Sequence, residues 1–122
     1  VTSGARAIAV VDAVSLLVFT FVGIAMHGAG FGPGPILRNV VPILGTWYLL
    51  ASVTYIYRRP GWRTLVIHWA IALPIAVIVR QWWVGRLFSR ATVAFLIASL
   101  VLTLAMLTAG RFILWLGLRG RR

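Results

Sequence analysis

The segment AIAVVDAVSLLVFTFVGIAMH, Ala7 to His27, fixes the class of fold. It is almost wholly apolar and long enough to cross a bilayer, since about 20 such residues span the hydrocarbon core. It also carries Asp12, the one acidic residue of the chain. The apolar run exceeds the ~7–15 residue core of a secretory leader and contains an acid, so it reads as a membrane span.

Three further apolar stretches follow. With spans at about 7–27, 40–57, 62–83 and 91–110 and a basic interfacial tail at 111–122, the whole chain of 122 residues is used. Hydrophobic residues make up 61% and the mean hydropathy is +1.00, too apolar for a soluble domain of this size. The expected fold is an all-α integral membrane four-helix bundle forming a single transmembrane domain.

The breaks between spans support these limits. Gly28 to Pro35 is Gly- and Pro-rich and reads as a turn. It is no phosphate loop, because the glycine spacing fails and no strand precedes it. Asn39 is placed to cap span two, with Pro42 in its first turn. Arg58-Arg59-Pro60-Gly61 is a tight charged turn. Pro74 lies mid-way along span three, where a bend is expected. Small residues at Ala5, Ala9 and Ala13, at Ala72 and Ala76, and at Ala94 and Ala98 give faces where helices can approach closely.

All 12 basic residues are arginines, and the formal charge is +11. They sit between or at the ends of apolar runs, where anionic headgroups meet them, and not among aromatics on a soluble face. No nucleic-acid partner is expected. Arg6, Arg58, Arg59, Arg63, Arg111, Arg119, Arg121 and Arg122 fall on one side, against Arg38, Arg86 and Arg90 on the other. Eight against three puts both termini in the cytoplasm of a multi-pass cell-membrane protein. Tyr55, Tyr57, Trp62 and Trp115 then form an inner aromatic belt, and Phe31, Trp82, Trp83 and Phe88 an outer one. Arg58, Arg59, Arg63, Arg111 and Arg119 are the expected headgroup contacts, with Arg111 snorkelling outward.

The polar residues inside the membrane are Asp12, His27, His68 and Arg80. At ~1.5 Å of rise per residue, Asp12 and His68 lie at similar depth on the inner side, and His27 and Arg80 near the outer boundary. A carboxylate in hydrocarbon has to be protonated, paired or turned to a polar cavity. Asp12 is therefore read as facing His68, with Arg6 as the other basic group in reach. A proton or cation site is the functional alternative to this interhelical bond. Arg80 is a snorkelling anchor or an anion contact.

Chemistry has few groups to work with. No cysteine is present, so disulfides and thiolate sites are excluded. One acid allows neither a carboxylate pair nor a carboxylate-rich metal site. His27 and His68 lie near opposite surfaces, so one haem cannot bridge them within a monomer. No metal site and no catalytic residue is expected, and the chain reads as no enzyme. A lipid, quinone, carotenoid or chlorin pigment fits the aromatic content without any residue marking one. The partners implied are membrane lipids and other membrane subunits or further copies of the chain.

One ordered set of residues resembles a known family. Asp12, Phe19, Gly23 and His27 in span one precede Pro42-Ile43-Leu44-Gly45, then Arg59-Pro60, Val79-Arg80 and Gly110-Arg111. This order resembles an uncharacterised bacterial and archaeal family of four-span proteins, catalogued as a domain of unknown function. The likeness covers nearly the whole chain. Ile24 stands where the family often has Arg, and Ile43 where it has Phe. The resemblance implies four spans and a polar signature of Asp12, His27 and Arg80, and implies no activity. The expected role is a non-catalytic accessory or assembly subunit of a larger electron-transport or photosynthetic membrane complex. A small oligomeric transporter or channel, with Asp12 and Arg80 on its path, is the alternative.

Overall fold

In the computed structural model, residues 3–28, 30, 32–58, 61–85 and 90–120 are described, apart from the side chains of Ser3 and His27. Four helices follow one another: α1 (Ser3–His27), α2 (Pro33–Thr54), α3 (Trp62–Trp83) and α4 (Ala91–Arg119). No strand occurs among the described residues. All four helices are long and apolar enough to cross a membrane. The order round the bundle is α1–α2–α3–α4, with α4 closing back on α1. Helices α1 and α3 stand on one diagonal, and α2 and α4 on the other.

Helix α2 starts earlier than the sequence reading placed it. Pro33 and Pro35 fall in its first turn, where an absent N–H leaves no bond unmade. Asn39 is consequently not a cap. It lies inside the helix and donates its side-chain amide to the Pro35 carbonyl at 2.7 Å. Pro42 lies beyond the first turn, in the buried interior of α2. The helix ends at Thr54 because Tyr55 takes a left-handed conformation, φ 58°. Its N–H still reaches the Ala51 carbonyl at 3.1 Å, and the chain turns sharply there. Helix α3 runs without a break through Pro74. Helix α4 carries on past Gly110 to Arg119 as one helix of 29 residues. At ~1.5 Å per residue that exceeds the ~30 Å hydrocarbon core, so its last turns lie outside it.

The core is a column of apolar side chains at mid-helix. Leu16, Ile43, Trp47, Leu65, Ala72, Leu73, Ala76 and Leu107 are buried together. Ala72 and Ala76 form a close-packing face of α3, in keeping with their spacing. The stripe of Ala94 and Ala98 does not pack inside the bundle. Both are exposed, and α4 turns Ser99, Thr103 and Leu107 inward instead. A polar staple holds that side: the Trp69 indole N–H on α3 lies 3.1 Å from the Leu100 carbonyl and 3.2 Å from Thr103 Oγ1 on α4. The outward faces are apolar along their length, as at Val10, Val14 and Val18, or Val93, Ile97 and Val101. Acyl chains or other apolar helices are the surroundings that suit such faces.

Helices α1 and α4 approach closely at Gly110. A Cβ there would lie 2.6 Å from Ser15 Oγ and 3.0 Å from Val11 Cγ1. Only a hydrogen fits that space. The contact is one residue before Arg111, and it sets how far the Arg111 side chain has to reach.

Candidate functional site

Two polar clusters occupy opposite ends of the bundle. The first lies at the end that holds the start of α1, the α2–α3 turn and the last turns of α4. Asp12 is fully buried there. Its carboxylate accepts two bonds from the guanidinium of Arg111, from Nε to Oδ1 at 3.0 Å and from Nη2 to Oδ2 at 2.6 Å. This is a two-point, charge-assisted grip, the strongest geometry open to the pair. Tyr57 donates a third bond to Oδ2 at 2.8 Å. The tight turn after Thr54 is what swings Tyr57 inward over the end of α1. Burial, then the negative charge of Asp12, push the Tyr57 phenol above its ordinary range, so it stays a donor.

The cluster continues into the core through aromatic rings. The Trp47 indole donates to the Tyr57 oxygen at 2.8 Å. Tyr48 stacks on Tyr57 with ring centres 6.0 Å apart, and its hydroxyl bonds the Ala9 carbonyl at 2.7 Å. Trp47 meets the His68 ring edge-on at 4.3 Å. His68 Nδ1 lies 2.7 Å from Thr54 Oγ1, an intra-bundle bond between α3 and the end of α2.

The expected bond between Asp12 and His68 is therefore absent. Their helices stand on a diagonal, and Trp47 and Tyr57 fill the space between the two residues. Arg6, the other basic group considered, is exposed. The partner is Arg111, and here the headgroup assignment has to be corrected. Its side chain is 11% exposed and turned inward, because Gly110 brings α4 hard against α1 beside the one acid available. Tyr57 likewise leaves the aromatic belt. Tyr55, Trp62, Trp82, Trp83 and Trp115 are exposed as belt residues should be. Phe31 and Phe88 lie outside the described residues. Among the expected headgroup arginines, Arg58, Arg63 and Arg119 are exposed. Arg58 lies over the Tyr55 ring and Arg119 over the Trp115 ring. Arg59 lies outside the described residues, as does the side chain of His27.

The second cluster surrounds Arg80, where α3 ends and α2 and α4 begin. Arg80 Nε donates to Asn39 Oδ1 at 2.8 Å and Nη1 to Gln81 Oε1 at 2.6 Å. Gln81 in turn donates to Thr92 Oγ1 at 2.9 Å. The guanidinium lies 4.5 Å from the centre of the Phe95 ring, a cation–π contact. Side chains of α2, α3 and α4 are thus tied at this end. Below Arg80 is a cavity of about 60 Å³, bounded by residues of all four helices, including Gly23, Asn39 and Ser99.

Sequence reasoning missed Tyr57, Asn39, Gln81 and the inward turn of Arg111. Only the last left a trace: a glycine directly before an arginine, near the depth of the single acid. No grouping of three or more His or acidic residues suited to a metal ion occurs among the described residues.

An apolar four-helix bundle, with Asp12, Arg111 and Arg80 held in polar clusters near its ends and further arginines exposed, belongs to the multi-pass membrane proteins. Within that class the chain belongs to the family described as "Protein of unknown function (DUF3054)", which matches residues 9–114. That range takes in Asp12, Tyr57, Arg80 and Arg111. No curated protein and no solved structure matches the chain.

Proposed function

We propose that the chain is a non-catalytic membrane subunit that packs, through its lipid-facing sides, against a larger membrane complex of electron-transport or photosynthetic type. The observation that carries this reading is the state of Asp12. The one carboxylate of the chain is gripped by Arg111 and Tyr57, so it is a structural tie and lines no path. A transport route would have to join Asp12 to Arg80. Leu16 and Leu73, both fully buried, lie between the two clusters along their helices. A proton or ion would have to pass these apolar side chains, which is costly.

The face offered to a partner is on α4. Ala94, Ala98 and Ala105 are exposed and have no packing role in the bundle, and small side chains let a second helix approach its backbone. Gentle extraction and identification of co-purifying proteins and pigments tests the proposal. Ala98→Trp is expected to reduce the co-purifying subunit at least several-fold while the chain itself stays folded. Proton or ion flux from the purified chain in liposomes would instead favour the transporter reading.

The arginine excess carries a second expectation. Both termini and the α2–α3 turn lie in the cytoplasm, where anionic lipids hold Arg58, Arg63 and Arg119. The chain lacks cysteine, so single cysteines at positions 34 and 120 report directly. Reagent added outside intact cells should label position 34 alone, and labelling of position 120 would reverse the topology.

A further inference from the structure

We propose that the cavity below Arg80 binds the head of an amphiphilic oxyanion, a carboxylate or phosphate carried on an apolar chain. Three independent features converge on it.

The first is charge. Arg80 is only partly exposed, and the partners described above, Asn39, Gln81 and the Phe95 ring, are all neutral. The single acid of the sequence is held by Arg111 at the opposite end. The chain therefore has no acidic side chain to balance the guanidinium, and an anion from outside can.

The second is an unmet hydroxyl. Ser99 lines the cavity, is 1% exposed, and its Oγ has no hydrogen-bond partner among the described residues. Buried hydroxyls are ordinarily bonded, and an exception in a cavity wall marks a place where something else accepts the bond. An oxyanion would take it.

The third is shape. The walls are mostly apolar, including Phe19 and Phe95, which suits a hydrocarbon and not a hydrated ion. A volume of about 60 Å³ holds roughly four to six water-sized groups at about 10–15 Å³ each. That fits a carboxylate with its first methylenes or a phosphate, and is too small for a nucleotide or sugar. The rest of the chain has to leave the cavity, which favours a ligand already dissolved in the membrane. Gly23 lines the cavity, and a Cβ there would meet nothing within 4 Å.

Gly23→Leu can therefore fill the cavity without displacing an atom at its Cβ. The test uses the purified chain in neutral detergent with tritiated oleate, phosphatidylglycerol or phosphatidylcholine as separate probes. Saturable binding of about one oleate or one phosphatidylglycerol per chain is expected, at least tenfold weaker in Gly23→Leu and in Arg80→Gln. Oleate alone would identify a free fatty acid as the source, and phosphatidylglycerol alone a membrane phospholipid. Should Arg80→Gln fail to fold, Gly23→Leu still decides. The proposal is overturned if neither anion binds saturably, if phosphatidylcholine binds as tightly, or if Gly23→Leu binds like the parent chain.

Discussion

Asp12→Leu is expected to destabilise the bundle by about 2–4 kcal/mol, the range set by breaking a buried ion pair and moderated by the smaller worth of polar contacts between membrane helices. Three bonds are lost at once, two from Arg111 and one from Tyr57. The guanidinium left behind cannot lose its proton. It has to remain unpaired or pull outward, which opens the contact between α1 and α4. Asp12→Asn is also costly. An amide at this site keeps one acceptor, but it points its NH₂ group at a guanidinium that can only donate. Had the partner been the His68 imidazole, the same change would be mild. The double variant Asp12→Leu/Arg111→Leu should regain most of the lost stability, since an apolar pair leaves no charge stranded. Unfolding titrations of the four chains in mixed micelles give the coupling directly. Additive single and double variants would mean that the pair is geometrically close but energetically idle.

Gly110→Leu is expected to cost about 3 kcal/mol or more, above the usual range for overpacking because it also pries apart the ion pair beside it. The Cβ alone falls 2.6 Å from Ser15 Oγ, and Ser15 is held by its bond to the Val11 carbonyl at 2.8 Å. The smaller change Gly110→Ala separates the contributions. Combined with Ser15→Ala it loses the closest clash, leaving Ser15 Cβ at 3.9 Å, but Val11 Cγ1 is still 3.0 Å away. Rescue should therefore be partial. Melting temperatures of the single and double variants check this, and a Gly110→Leu chain as stable as the parent would show that the helices cross elsewhere.

The presence of four spans was legible because a bilayer imposes one simple rule, a continuous apolar run of sufficient length, while their ends were not: α2 begins at Pro33 and α4 runs on to Arg119. The tyrosines, tryptophans and arginines of the boundary regions were harder, because such residues suit both an interface and a buried hydrogen bond. Arg111 and Arg119 look alike in sequence, yet one closes the core and the other lies over Trp115 at the surface. What separates them is the helix order round the bundle, which hydropathy does not encode. The same gap explains Asp12 and His68. Matching depth put them level, but level residues on diagonal helices do not touch. Ala94 and Ala98 show the converse, a spacing that marks a packing face without saying whose helix it meets.

The pair that ties α1 to α4 has a consequence for the order of biosynthesis. Asp12 is made first and its partner 99 residues later. At about 5–20 residues per second, the first span has a lone carboxylate for roughly 5–20 s before the arginine is even polymerised. Through that interval the acid has to stay protonated, borrow water at the membrane boundary, or be shielded by the insertion machinery. The arrival of α4 is thus the moment at which the Asp12 carboxylate gains its partner. A chain halted before that point keeps, in α1, a carboxylate without the arginine that grips it.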